Sequence, residues 1–139
     1  MSGGIVVVFT QGPAGKVALG EAALLARRAG QPLTVLALAP QDTDPALCGV
    51  YTSAFNEGVR AEALRELAEA RDLLGEEGCG ADYVLLLAGR DPGLDSWVAR
   101  ERPALVVLAR GGPLALAARR QAGRLRRAGV EVRLIDRRG

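Results

Sequence analysis

Whatever binding chemistry this chain offers is concentrated in two glycine turns. The first, Thr10-Gln11-Gly12-Pro13-Ala14-Gly15-Lys16-Val17, follows a β-branched run and opens a helical pattern. Free backbone amides at a helix start, with a lysine nearby, attract phosphate and other anions. A phosphate-binding P-loop would need glycine in place of Thr10 and a magnesium-ligating hydroxyl in place of Val17, so hydrolysis of a nucleoside triphosphate is not expected. Gly12, Gly15 and Lys16 are left to hold an anion weakly. The second turn, Arg110-Gly111-Gly112-Pro113, ends the apolar run that begins at Pro103. It has no Ser, Thr, Asp or Lys to grip a phosphate or a metal. Arg110 is its one charge, and a guanidinium fork suits phosphate or carboxylate.

The remaining residue types exclude most catalysis. The chain has no histidine, so neither a nucleophilic triad nor an imidazole metal site can be assembled. Cys48 and Cys79 stand far apart and read as reduced thiols. Glu76-Glu77 reads as solvated charge at a helix end. No enzymatic activity and no metal are expected.

At 139 residues the chain has the length of one domain, read as spanning 1–139. Apolar residues make up 49% and aromatics only 4%, which points to a core of Ala, Leu and Val in thin helix-on-sheet layers, hence α/β. No apolar run approaches the ~20 residues of a membrane span, and the Met-Ser-Gly-Gly start lacks a signal-type stretch, so a cytoplasmic protein without a membrane partner is expected. The net charge is +2, but residues 110–139 carry nine Arg against Glu131 and Asp136, giving +7 there and −5 elsewhere. Arginines 119, 120, 124, 126 and 127 fall on a helix with no aromatic residue interleaved to stack on bases. They read as a solvated face, and nucleic acid is not an expected partner.

Five strands and four helices position these turns. Ile5 to Thr10 is the first strand, followed by a helix from about Lys16 to Ala29 that Gly30 caps. Leu33 to Ala39 is the second strand, which Pro40 ends. Gln41 to Phe55 reads as irregular, and a long helix from Asn56 or Glu57 is closed by Gly78 and Gly80. Asp82 to Ala88, a turn over Gly89-Arg90-Asp91-Pro92, and a short helix Gly93 to Glu101 with Trp97 as a core anchor come next. The run from Pro103 is a strand buried on both faces, Pro113 opens a fourth helix, and Val130 to Asp136 is the last strand. Regular alternation of this kind builds a doubly wound parallel sheet, whose ligand crevice lies outside the carboxyl ends of the strands.

In order, these elements resemble the universal stress protein family across essentially the whole chain. Ile5 to Leu19 looks like the family's first strand, turn and helix with its Ala18-Leu19 pair. Arg65 to Gly78 is similar to its second helix, Gly89-Arg90-Asp91-Pro92 to its Gly-Asp-Pro turn, and Ala104 to Gly112 to its fourth strand and glycine loop. The resemblance implies a five-stranded sheet in the order 3-2-1-4-5 with helices on both faces, and a crevice between the first and fourth strands. It places Thr10 where nucleotide-binding members carry an Asp. Their phosphate pattern falls on Ala109, Gly112, Ala122 and Gly123, of which only Gly112 matches. The added methyl at Ala109 and the missing hydroxyl at Gly123 both weaken a phosphate site. The implied protein is a small stress-response or regulatory binder that takes no cofactor and does not hold ATP in the usual way. Its crevice is lined by Thr10, Gln11, Gly12, Leu38, Ala109, Arg110, Gly111 and Gly112, for a small anionic ligand if any. The alternative retains ATP or AMP, with Leu38 against the base and Arg110 with the Gly111-Gly112 amides at the phosphates. A homodimer through the C-terminal edge strand is implied as well, where Val130, Val132 and Leu134 alternate with Glu131 and Arg133.

Overall fold

Ile5, Val6, Val7 and Val8 are all buried, which a strand achieves only in the middle of a sheet covered on both sides. The computed structural model describes residues 3–10, 12–40, 49–78, 80–88, 93–110 and 115–136. Strands β1 (Ile5–Val8), β2 (Leu33–Pro40), β3 (Asp82–Ala88), β4 (Leu105–Arg110) and β5 (Val132–Asp136) form one parallel sheet in the order β3-β2-β1-β4-β5. Helices α1 (Pro13–Ala29), α2 (Gly49–Leu74), α3 (Gly93–Glu101) and α4 (Ala115–Arg127) complete the order expected from the alternation.

Side-chain parity along the strands assigns the layers. Ile5, Val7 and Phe9 pack with Ala18, Leu19, Ala22 and Ala26 of α1 and Ala63, Leu67 and Ala70 of α2. Val6 and Val8 point the other way, into a second cluster with Leu94 and Val98 of α3 and Ala122 and Leu125 of α4. The sheet is therefore doubly wound. The side of α1 facing the sheet is mostly alanine at helical spacing, which lets the helix lie close to the strands. Truncating Leu19, which is 1% exposed, would cost about 2–5 kcal/mol. Trp97 is partly buried and packs against the α3/α4 cluster.

Several boundaries differ from the sequence reading. Helix α1 begins at Pro13, three residues before Lys16, because proline is tolerated in the first turn. Helix α2 begins at Gly49, so part of the stretch read as irregular, 49–55, is helix; 41–48 lie outside the described residues. Extending an existing helix fixes one residue per hydrogen bond gained, so weak formers such as Val50 and Thr52 are accommodated. A 3-10 turn, Gly75–Gly78, follows α2. Strand β5 starts at Val132 rather than Val130, whose amide donates back to the Leu125 carbonyl at 3.0 Å. Among the described residues no helix is long and apolar enough to cross a membrane.

One carboxyl on α2 is perturbed. Burial, followed by the charges of Glu62 and Glu69 one turn away on either side, raises Glu66 from 4.5 to about 7. A raised acid favours the folded state while it is protonated, so its contribution is fully present below pH 4.5 and is lost as pH rises through about 7. Chemical denaturation of Glu66→Gln across this range should show a flatter pH profile than the parent, with higher stability than the parent at pH 8. Parallel profiles for the two proteins would contradict the assignment.

Candidate functional site

The strand order reverses at β1, which has β2 on one side and β4 on the other, so the switch point lies between β1 and β4. Val8 aligns with both Leu36 and Leu108. Phe9 continues the ladder, donating its amide to the Leu36 carbonyl at 2.8 Å. Carried two residues beyond Val8, the register brings Thr10 level with Leu38 on one side and Arg110 on the other. The crevice expected from the sequence therefore gathers Thr10, Leu38 and Arg110 at one rim.

The start of α1 is pressed into this rim. Gly12 takes φ 112° and ψ 173°, a region essentially reserved for glycine, and its carbonyl accepts the first helical hydrogen bond from the Lys16 amide at 3.1 Å. Pro13 has no N–H, no side chain caps the helix, and the amides of Ala14 and Gly15 fall in the first turn, where a helix supplies no acceptor. Gly15 is buried directly against Thr10. A Cβ at Gly15 would stand 1.7 Å from the Thr10 carbonyl oxygen, so a side chain there is excluded by backbone. Lys16 and Thr10 are exposed.

The other expected residues divide by face. Leu38 packs with the α3/α4 cluster, whereas Ala109 packs with the α1/α2 cluster. Arg110 alternates with Ala109 and shares the α3/α4 face with Leu108. Its guanidinium Nη2 lies 3.4 Å from Oδ2 of Asp136, its register partner on β5. Sequence reading left Asp136 out of the site, and only the pairing of Arg110 with Asp136 in the sheet could have shown it. Because both side chains are over 40% exposed, the pair is worth only about 0–1 kcal/mol. Gln11, Gly111 and Gly112 lie outside the described residues. So does the start of the fourth helix at Pro113.

The arginines of the C-terminal third are largely committed within the protein. Arg124 Nε pairs with Asp95 at 3.1 Å, Arg126 donates to the Val132 carbonyl at 3.0 Å, and Arg127 donates to the Gly123 carbonyl at 3.2 Å. Arg133 reaches Glu21 on α1 at 3.3 Å. Among the described residues no group of His, Cys, Asp and Glu is arranged to hold a metal ion.

No protein-family model matches the sequence, and no curated protein does. Solved structures do. The universal stress protein UspA from Lactobacillus plantarum superposes with a TM-score of 0.71 at 16% identity, covering 97% of this chain and 99% of that one. The universal stress protein from Archaeoglobus fulgidus in complex with dAMP gives 0.64 at 21% identity, covering 96% and 97%. An Arabidopsis thaliana universal stress protein family member with AMP bound gives 0.57 at 17% identity, covering 96% and 91%. The chain has the universal stress protein fold, as the resemblance implied.

Two glycines of α1 should respond oppositely to the same change. Gly15→Ala drives a methyl into the Thr10 backbone and should lower stability by at least about 1–3 kcal/mol. Gly20→Ala, also within α1 but with nothing within 4 Å of the added carbon, should raise it by up to about 1 kcal/mol. Urea melts of both variants read the sign directly. At the rim, Asp136→Asn should release Arg110 and change its guanidinium NMR signal, at a stability cost of no more than about 1 kcal/mol for so exposed a pair. Spectra and urea melts of parent and variant read both.

Proposed function

We propose that this chain is a divergent universal stress protein, a small cytoplasmic binding protein of regulatory or stress-response type that performs no catalysis and does not hold ATP in the usual way. The observation that carries this reading is the state of the crevice. Thr10 stands where nucleotide-binding members of the resembled family present a carboxylate, and Arg110, its one fixed cation on β4, is shared with Asp136. A triphosphate would meet a guanidinium already engaged by a carboxylate. The first-turn amides of α1 and Arg110 suit a small anion better than a nucleotide.

A second reading is favoured by one finding. Two relatives of this fold are solved with dAMP or AMP. In that version adenine lies against Leu38, and Arg110 with the Gly111-Gly112 amides takes the phosphates in place of the missing hydroxyl. Calorimetric titration with ATP and AMP separates the two. The first reading expects no saturable heat, and binding in the micromolar range would replace it with the second.

We also propose that two copies pair through β5. It is an edge of the sheet, and an unpaired parallel strand edge invites a partner strand. Leu134 is only half-buried there. Sedimentation equilibrium should give a dimer that Leu134→Lys weakens, and a monomer at every concentration would refute the pairing.

A further inference from the structure

Strand β3 forms the edge of the sheet opposite β5, yet its sequence is that of an interior strand. From Tyr83 to Ala88 it carries no charge. Apolar residues fall on both faces, Tyr83 and Leu85 with the α1/α2 cluster and Val84 and Leu86 with the α3/α4 cluster. A run apolar on both sides belongs to a strand with neighbours at both edges, and native edges are usually guarded by charge, proline or a bulge. Here the second neighbour is missing. Tyr83, Val84, Leu85 and Leu86 are all only half-buried, and β3 is the one strand with no buried residue among those described.

The backbone along this edge is open as well. Ile5 and Phe9 N–H donate to the carbonyls of Pro32 and Leu36, so the even-numbered residues of β2 face β1 and the odd-numbered ones face β3. Carried across the Val35–Tyr83 register, this turns the N–H and C=O groups of Tyr83, Leu85 and Leu87 away from β2, where they have no partner among the described residues. Beside them runs one flank of α2. Arg71 lies over the Tyr83 ring at 5.2 Å, so that flank overlooks β3. Leu64 stands seven residues before Arg71 and Glu57 seven before Leu64, each about two turns back on the same flank. Leu64 is 50% exposed, although nothing in an isolated chain calls for a leucine there.

We propose that β3 pairs antiparallel with β3 of a second copy of this chain, across a two-fold axis at Leu85. Leu85 then exchanges both backbone bonds with Leu85 of the other copy, and Tyr83 with Leu87, which satisfies every open group of the edge. Asp82 falls opposite Ala88, so no like charges meet. With the axis normal to the sheet, the two α2 helices run antiparallel side by side. Leu64 faces Leu64, and Glu57 of each copy faces Arg71 of the other. That complementarity favours a second copy over an unrelated extended segment, which would bring no fixed mate for Leu64 or Arg71. The contact uses the edge opposite β5 and depends neither on pairing there nor on what the β1/β4 crevice binds.

The test uses the full chain carrying Leu134→Lys, which silences pairing at β5. Sedimentation equilibrium should still give a dimer, and the amides of Tyr83, Leu85 and Leu87 should exchange with deuterium more slowly as protein concentration rises. Glu57→Arg or Arg71→Glu alone should weaken this dimer about ten-fold, because two opposite-charge pairs become like-charge pairs, and the two changes together should restore it to within about three-fold. Both positions are exposed, so the variants keep the fold. At concentrations above those that form the β5 dimer, the parent, joined at both edges, should exceed two chains in mean mass. A Leu134→Lys chain that is monomeric at every concentration overturns the β3 pairing, and leaves the β5 pairing standing if the parent dimerises. So do a dimer that neither single charge variant weakens, and amide protection at Leu85 that ignores concentration, which would mark the edge as covered by something other than a second copy. A dimer that Leu134→Lys leaves unchanged but the charge variants weaken sustains this pairing and refutes the one at β5.

Discussion

Burial of β1 on both faces is the constraint from which the rest of the molecule follows. Four apolar residues in a row cannot face water on either side, so the strand needs hydrogen-bonded neighbours at both edges and a helical layer above and below. Val7 and its register partners Val35 and Val107 are all fully buried, which makes the β2-β1-β4 centre the least hydrated part of the protein. With β1 in the middle, the chain must leave it in one direction to build β2 and β3 and return to its other side to build β4 and β5. That reversal opens a crevice at the carboxyl ends of the central strands.

What occupies the crevice is set by two local facts. The backbone of α1 approaches Thr10 so closely that only glycine fits at Gly15, which delivers the first-turn amides to the rim. On the opposite side, parallel register sets Arg110 beside Asp136 and moderates the cation that the loop sequence advertises. Among the described residues the rim therefore presents Thr10 beside an Arg110 that is paired with Asp136. Elsewhere in the C-terminal third, Arg124, Arg126, Arg127 and Arg133 make internal contacts with Asp95, Glu21 and backbone carbonyls.

The packing of α3 beside α4 shows how much escaped sequence reading. Arg102 looks like any charged residue after a helix until its positive φ is known, and Asp95 looks like a favourable acid in a first helical turn until Arg124 is found beside it. The pair of Asp95 with Arg124 follows from α3 and α4 packing side by side on one face of the sheet. The start of α2 escaped for another reason: Gly49 to Thr52 are poor helix formers in isolation, and only continuation of a helix already anchored by Ala63, Leu67 and Ala70 makes them helical.

The sequence by itself determined the number, type and order of the elements along the chain, the double burial of the run from Pro103, and the identity of the turns that end the strands. These rest on hydrophobic period and on the backbone limits of glycine and proline, which act over a few neighbouring residues. The tertiary structure decided that Arg110 shares its charge with Asp136, that Gly15 lies against a carbonyl, and that Arg124 pairs with Asp95. Each of these is a meeting of segments separated along the chain. Their distances follow from strand register and helix packing, which local residue pattern does not encode.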